Sequence, residues 1–246
     1  MDGNVVTAVQ HLNLTQVITA IGGLGTAAFG LLEALKPVCP LINHIGFGKI
    51  SNTVRGLTPP ETGDKLPANS LPGAKIIDSI ESNWINGTDL ASQKAIAKSL
   101  IKLHMSEGNA AALAAATNVD SQTLTTVAKK IVSGAPLVQA ESDVYSRFDL
   151  IVTATLDECY QRADQDYRNW TRALAAFIAV ILALAGGYLI QPPDQAAHTT
   201  ICAYLGSSDC IRAVLVGLLA TPLAPVAKDI STALATAVNT MQLVKK

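Results

Sequence analysis

Three apolar stretches divide the chain, and the least interrupted of them runs through residues 173–190. After Arg172 this stretch carries no charged side chain and no strongly polar one. Its length is close to the roughly 20 residues that a helix needs to cross the hydrocarbon core of a bilayer. The pattern predicts a transmembrane helix here, and Trp170 lies where an interfacial aromatic residue is expected.

The first apolar region lies within residues 1–36 and is most apolar over residues 17–32. Several glycines lower its helix propensity, and Lys36 and Pro37 mark its end. A second membrane span is predicted here. An amphipathic helix that lies in the membrane interface is the alternative interpretation.

The third apolar region forms the first part of residues 212–246 and contains Pro222 and Pro225. Proline is tolerated in a transmembrane helix where neighbouring groups satisfy the freed carbonyls. The pattern predicts a third span followed by an amphipathic C-terminal helix, whose apolar positions recur at helical spacing (Ile230, Leu234, Val238 and Met241).

The sequence between the spans predicts four further segments. Prolines and glycines punctuate residues 37–73, which indicates a linker. Residues 74–138 carry short apolar stripes at helical spacing and predict a small helical domain. Residues 139–190 predict one long helix, a charged and solvated stalk that continues into the second span. Residues 191–211 predict a short outer loop.

Composition agrees with a protein that faces lipid. Charged residues make up 15% of the chain and hydrophobic residues 49%, whereas about 25% charged is usual for soluble domains. The formal net charge of -1 provides no general attraction for nucleic acid. The expected fold is an all-α membrane protein with about three transmembrane helices, a small helical extramembrane domain and a stalk helix running into the second span.

Basic residues predict the topology, because they are enriched in cytoplasmic flanks. The first sixteen residues contain no Lys or Arg, whereas Lys36 follows the first span and Arg172 precedes the second. We therefore expect a multi-pass protein of a bacterial plasma (inner) membrane. Its N-terminus would lie outside, and residues 37–170 and the C-terminus would be cytoplasmic.

Cys202 and Cys210 lie in the loop assigned to the outside, where a disulfide between them would persist. Incidental free thiols are the alternative. His198 and Asp209 could join them as zinc ligands, but the spacing matches no established zinc pattern, so no metal and no cofactor is predicted.

Small residues recur within two of the predicted spans and predict helix-packing faces. In the first span these residues are Gly22, Gly25 and Gly30. In the second they recur every four residues, at Ala179, Ala183 and Gly187. Such faces need a partner, which can be this protein's own helices, a second copy or another protein.

Residues 110–131 resemble a helix-turn-helix, with Asn118 at the turn and Asp120 as a helix cap. Only Lys129 and Lys130 would supply positive charge, so a structural corner is favoured over DNA contact. No catalytic motif is visible, and the chain is not expected to be an enzyme.

The sequence therefore predicts a non-enzymatic membrane anchor, scaffold or accessory subunit of a larger membrane complex, whose partners are lipid and other subunits or copies of itself. A membrane-tethered nucleic-acid-binding regulator and an oligomeric pore or channel are the alternatives.

Overall fold

A computed structural model describes residues 14–60, 72–190 and 201–244, with side chains described between residues 16 and 226. Throughout this part of the chain the regular structure is α-helix and no strand occurs. The all-α prediction is therefore confirmed. The chain divides into two units, which we name the central unit (Pro40–Arg168) and the apolar unit (Met1–Cys39 with Asn169–Lys246).

The described helices are numbered in chain order. They are α1 Leu14–Leu35, α2 Pro40–Asn43, α3 Phe47–Gly56, α4 Gly73–Ile85, α5 Leu90–His104, α6 Ala110–Thr117, α7 Ser121–Ser133, α8 Gln139–Leu189, α9 Ile201–Leu205 and α10 Ser208–Val244.

Three helices are long and apolar enough to cross a membrane, which confirms that part of the sequence prediction. They are α1 over Gln16–Leu35, the long helix α8, and α10 over Ser208–Val226. The predicted N-terminal flank and residues 191–200 of the predicted outer loop lie outside the described residues, as do the side chains of the predicted C-terminal amphipathic segment. Residues 201–211, which were also expected to be loop, contain α9 and the first turn of α10.

The first thirty residues of α8 supply the centre of the core in the central unit. Phe148, Val152, Leu156 and Tyr160 recur every fourth residue and are each at most 1% exposed. This spacing keeps them on one side of an α-helix. They pack in one cluster with buried residues from α3 to α7.

This burial changes the interpretation of residues 139–170, which the sequence predicts as a solvated stalk. One side of the helix is solvated, whereas the other lies in the core of the central unit. The buried stripe is hard to see in the sequence because Cys159, Tyr160 and Ala163 stand among charged residues.

The structure also differs from the sequence prediction over residues 40–60, which were expected to be a linker. They contain α2 and α3, and α3 presents Phe47, Ile50 and Val54 to the core. These apolar residues follow helical spacing, but the nearby prolines and glycines obscure it. The Nε1–H of Trp84 donates to the Asn43 carbonyl at 2.9 Å and holds the turn after α2 against α4.

Ion pairs join α8 to its neighbours beside the buried stripe. Lys94 contacts Asp157 at 2.5 Å, and Lys98 and Lys102 both contact Asp149. Partial burial alone would raise the pKa of the Asp149 carboxyl, but hydrogen bonds from the two lysines hold that pKa below its usual range. The carboxylates of Asp149 and Asp157 therefore help to orient α5 against α8.

Replacing Phe148 with Ala is expected to destabilise the central unit by about 3–5 kcal/mol, because it leaves a cavity in a fully buried site. Leu150→Ala is the control, since Leu150 is 69% exposed, and it should change stability by less than about 0.5 kcal/mol. Denaturant unfolding followed by the fluorescence of buried Trp84, in a Trp170→Phe background, measures both. Equal effects of the two substitutions would contradict the assigned core.

The turn at His44 should be more stable in mild acid. Its Nδ1 and Nε2 lie 2.8 Å from the Pro40 carbonyl and from a Glu81 oxygen, and only a doubly protonated ring donates to both acceptors. The Pro40 hydrogen bond first, and then Glu81, raise the pKa of His44 despite slight desolvation. This contribution is complete below the unfolded pKa of about 6.5 and is lost as pH rises through the folded value.

An NMR titration of the His44 ring and unfolding curves across pH 5–9, compared with His44→Gln, measure this effect. The wild type should lose more stability with rising pH than the variant does. Identical pH dependence of the two proteins would show that the charged ring contributes nothing.

Candidate functional site

A cluster of buried residues lies where α1, α8 and α10 meet in the apolar unit. Ala28, Ala179 and Ala220 come one from each helix, and each is fully buried. Partly buried apolar side chains from α1 and α8 surround them (Ile21, Leu24, Ile178 and Leu182). We call these three alanines the alanine triad.

Glycine is required beside the triad because the helix backbones approach one another closely. A side-chain carbon at Gly25 would overlap the carbonyl group of Ala220 and lie 3.1 Å from the Cβ of Ala224. Three residues before Ala220 in α10, a side-chain carbon at Gly217 would lie 2.5 Å from the Cα of Val180 in α8. Small residues thus allow α10 to contact both other helices.

The six residues predicted on helix-packing faces fall into three groups, which are buried, half-buried and exposed. Gly22, Gly25 and Ala179 are buried, the last two at the helix contacts described above. Ala183 and Gly187 are half-buried, and Gly187 lies against the Tyr204 hydroxyl. Gly30 is exposed.

Gly30 belongs to a second face of α1 that the sequence prediction did not separate from the first. Its members are small, are all exposed and follow one another at steps of three and four residues (Ala20, Gly23, Ala27, Gly30 and Ala34). Nothing lies within 4 Å of a side-chain carbon built at Gly23 or Gly30. We call these five residues the open face of α1; Leu31 and Leu35 border it.

The exposed surfaces of the other two apolar helices are different, because they carry large side chains. Phe177 and Ile181 of α8 are 63% and 48% exposed, and Leu215 and Leu218 of α10 are 55% and 52% exposed. The signal for the open face was present in the sequence as the three-four spacing of small residues. The sequence pattern does not distinguish the small residues that pack against this chain's own helices from those that stay exposed. The structure makes this distinction.

Cys202 is exposed and Cys210 is buried, and both are free thiols in the structure. The disulfide between them therefore stays a prediction. His198 lies outside the described residues, and no group of three or more metal-binding side chains occurs among those described. Burial raises the pKa of the Cys159 thiol to about 11, so this cysteine is a core residue with little thiolate character.

The corner between α6 and α7 has the local geometry that the sequence indicates. Asn118 adopts a left-handed conformation with φ 50°, and the Asp120 carboxylate accepts the backbone N–H of Thr123 at 2.7 Å. Both lysines of α7 have acidic neighbours: Lys129 lies 3.6 Å from Glu107, and Lys130 lies 2.7 Å from Glu141. The positive charge of this helix is therefore partly neutralised.

Comparison of the chain with protein-family models, with curated proteins and with solved structures finds no match in any of the three. The functional proposal below therefore rests on the geometry of the described residues.

Gly25→Leu should disrupt the packing of the apolar unit, because its side chain would overlap the α10 backbone. Overpacking of this kind costs about 1–3 kcal/mol or more when the neighbouring group is backbone. Gly186→Leu is the matched control, since nothing lies within 4 Å of a side-chain carbon there. Thermal unfolding of the detergent-solubilised chain should show a lower midpoint for Gly25→Leu only. An unchanged midpoint for Gly25→Leu would contradict the close contact with Ala220.

Proposed function

We propose that this protein is a non-enzymatic integral membrane anchor that serves as a scaffold or accessory subunit of a larger membrane complex. The observation that carries the proposal is an apolar surface that the chain itself leaves uncovered. Only 11% of the eighteen most apolar consecutive residues of α8 are buried. The corresponding share is 22% for α1 and 22% for α10.

Lipid is the environment that suits this surface. Soluble proteins rarely expose contiguous apolar patches larger than a few hundred Å². The exposed sides of α8 and α10 carry large aliphatic and aromatic residues such as Phe177, Ile181 and Leu215. A helix also satisfies its own backbone hydrogen bonds, as the interior of a bilayer demands. Three crossings would give a multi-pass protein of the plasma (inner) membrane, with the N-terminus outside and residues 37–170 and the C-terminus cytoplasmic.

The open face of α1 supports the scaffold part of the proposal. Within a bilayer, helices associate through van der Waals packing, and small residues promote association because they let backbones approach. The inner face of α1 already packs against Ala220, whereas nothing lies within 4 Å of a side-chain carbon built at Gly23 or Gly30. We propose that another transmembrane helix, from a second copy or from another subunit, packs on this face.

The two alternative functions have less support. Binding of nucleic acid would use Lys129 and Lys130, which both have acidic neighbours. A pore within one chain would need an open path between its helices, whereas α1, α8 and α10 meet at the fully buried alanine triad. A pore would therefore have to form between copies, and ion flux in reconstituted vesicles is the test for it.

A tryptophan at position 177 should lie in the hydrocarbon core. In a background without the native tryptophans, Phe177→Trp is expected to be strongly quenched by lipids brominated at the middle of the acyl chain. Leu150→Trp is the matched control, because Leu150 is equally exposed but belongs to the central unit. The same quenching at both positions, or none at position 177, would argue against the proposed span.

Gly30→Leu should weaken association of the protein with its partner while leaving the fold intact, because a large side chain would separate the two helices at the open face. Gly186→Leu, at an equally open position of α8, is the control. The mass of the nanodisc-extracted particle and its co-purifying subunits is measured for wild type and both variants. Loss of mass in Gly30→Leu alone is expected. An identical assembly in all three samples would exclude the open face as the interface.

A further inference from the structure

A cavity in the central unit lies beside the first turns of α4. The end of α3, the first turns of α4 and the end of α5 line it, with Arg55, Ile77, Asp78 and His104 among its residues. We call it the α4 cavity. Its volume is about 620 Å³, within the range of roughly 300–1,000 Å³ that is usual for small-molecule sites. It is therefore large enough to hold a small organic molecule.

Two opposite charges line this cavity without partners in the protein. Arg55 and Asp78 are both exposed, and neither charged group forms an ion pair or a hydrogen bond within the described part of the chain. Their charged atoms are therefore more than 4.0 Å apart. By contrast, the other basic residue of α3, Lys49, lies 2.5 Å from Asp166.

The backbone at the start of α4 adds to the positive charge of Arg55. Pro72 precedes this helix of 13 residues and supplies no side-chain cap, and the first helical N–H that donates to a carbonyl is that of Ile76. The chain three residues after Arg55 lies against this end of α4, since a side-chain carbon at Gly73 would be 3.4 Å from the Thr58 carbonyl oxygen. Free N–H groups at a helix N-terminus attract negative charge. One side of the cavity is therefore positive.

A ligand that carries charges of both signs suits this arrangement. A simple anion would be attracted by Arg55 but repelled by Asp78, and a simple cation would be attracted by Asp78 but repelled by Arg55. We propose that the α4 cavity binds a small zwitterion of the amino-acid type. Its carboxylate contacts Arg55 and the start of α4, and its ammonium group contacts Asp78. Such binding goes beyond the proposed anchor function and does not depend on the membrane location.

The remaining walls of the cavity indicate which side chain the zwitterion carries. Ile77 is 9% exposed, and Pro60, Pro72 and Ala74 add further apolar surface. His104 is 3% exposed, and its ring already lies within hydrogen-bond distance of a backbone carbonyl. No other charged residue among those described completes the wall. An apolar side chain is therefore favoured, and leucine is a suitable probe.

Saturation-transfer difference NMR with the detergent-solubilised full chain measures the binding of leucine. We expect a saturable leucine signal. The affinity for N-acetyl-leucine and for leucinamide should be at least about tenfold lower, because each lacks one of the two charges and loses a charge-assisted hydrogen bond.

Arg55→Gln and Asp78→Asn should each lower the affinity for leucine at least about tenfold for the same reason. Both residues are exposed and unpaired, so the thermal unfolding midpoint of each variant should match that of the wild type. Arg147→Gln and Asp143→Asn are the matched controls. They remove exposed charges from α8 and should leave leucine binding unchanged.

Absence of a saturable leucine signal in the wild type would overturn the proposal. Binding of N-acetyl-leucine or leucinamide as tightly as leucine would also overturn it, because the site would then recognise only one charge. Leucine binding that both variants retain in full would locate the bound leucine outside the α4 cavity.

Discussion

Both units contain part of one continuous helix, α8. The helix runs without proline or glycine from Gln139 to Gly186, and it belongs to both units. In the central unit its stripe from Phe148 to Ala163 is the surface that α3 to α7 cover. In the apolar unit the same helix contributes Ala179 to the alanine triad and leaves its larger side chains uncovered. One helix therefore organises two different kinds of packing.

The packing inside the central unit and the packing inside the apolar unit are stabilised by different forces. The central unit buries large aliphatic and aromatic side chains, for which removal from water is the main driving force. The apolar unit buries Leu32 and Tyr204, but where α1, α8 and α10 meet it buries alanines and glycines. In the proposed lipid environment no hydrophobic force would favour contact between helices, so close backbone approach at Gly25 and Gly217 is a more effective means of stabilising the bundle. This difference would explain why small residues lie where the three apolar helices meet, whereas many large residues of these helices are exposed.

The sequence predicts the three long apolar helices well, because an uninterrupted run of apolar residues is a strong signal. It predicts the cap at Asp120 for a similar reason, since capping depends on residues only three positions apart. The burial of Leu156 and Tyr160 was missed, because acidic and basic residues around them dominate the local composition. Helix α3 was missed because Gly46 and the prolines at 59 and 60 indicated a loop.

The faces of α1 show where sequence reasoning reaches its limit. Gly25 and Gly30 are both small residues in one apolar helix, yet one is buried against Ala220 and the other is open. Their difference depends on the direction from which α10 approaches, which no local pattern records.

We propose that the apolar unit resides in lipid. Extraction of the isolated membrane fraction with alkaline carbonate tests it most directly, because this treatment strips proteins that are held only at the surface. If the apolar unit spans the membrane, the full chain stays in the membrane pellet and is released only by detergent. Release of the intact chain into the carbonate supernatant would contradict it, and the exposed apolar surface would then require a protein partner as its cover.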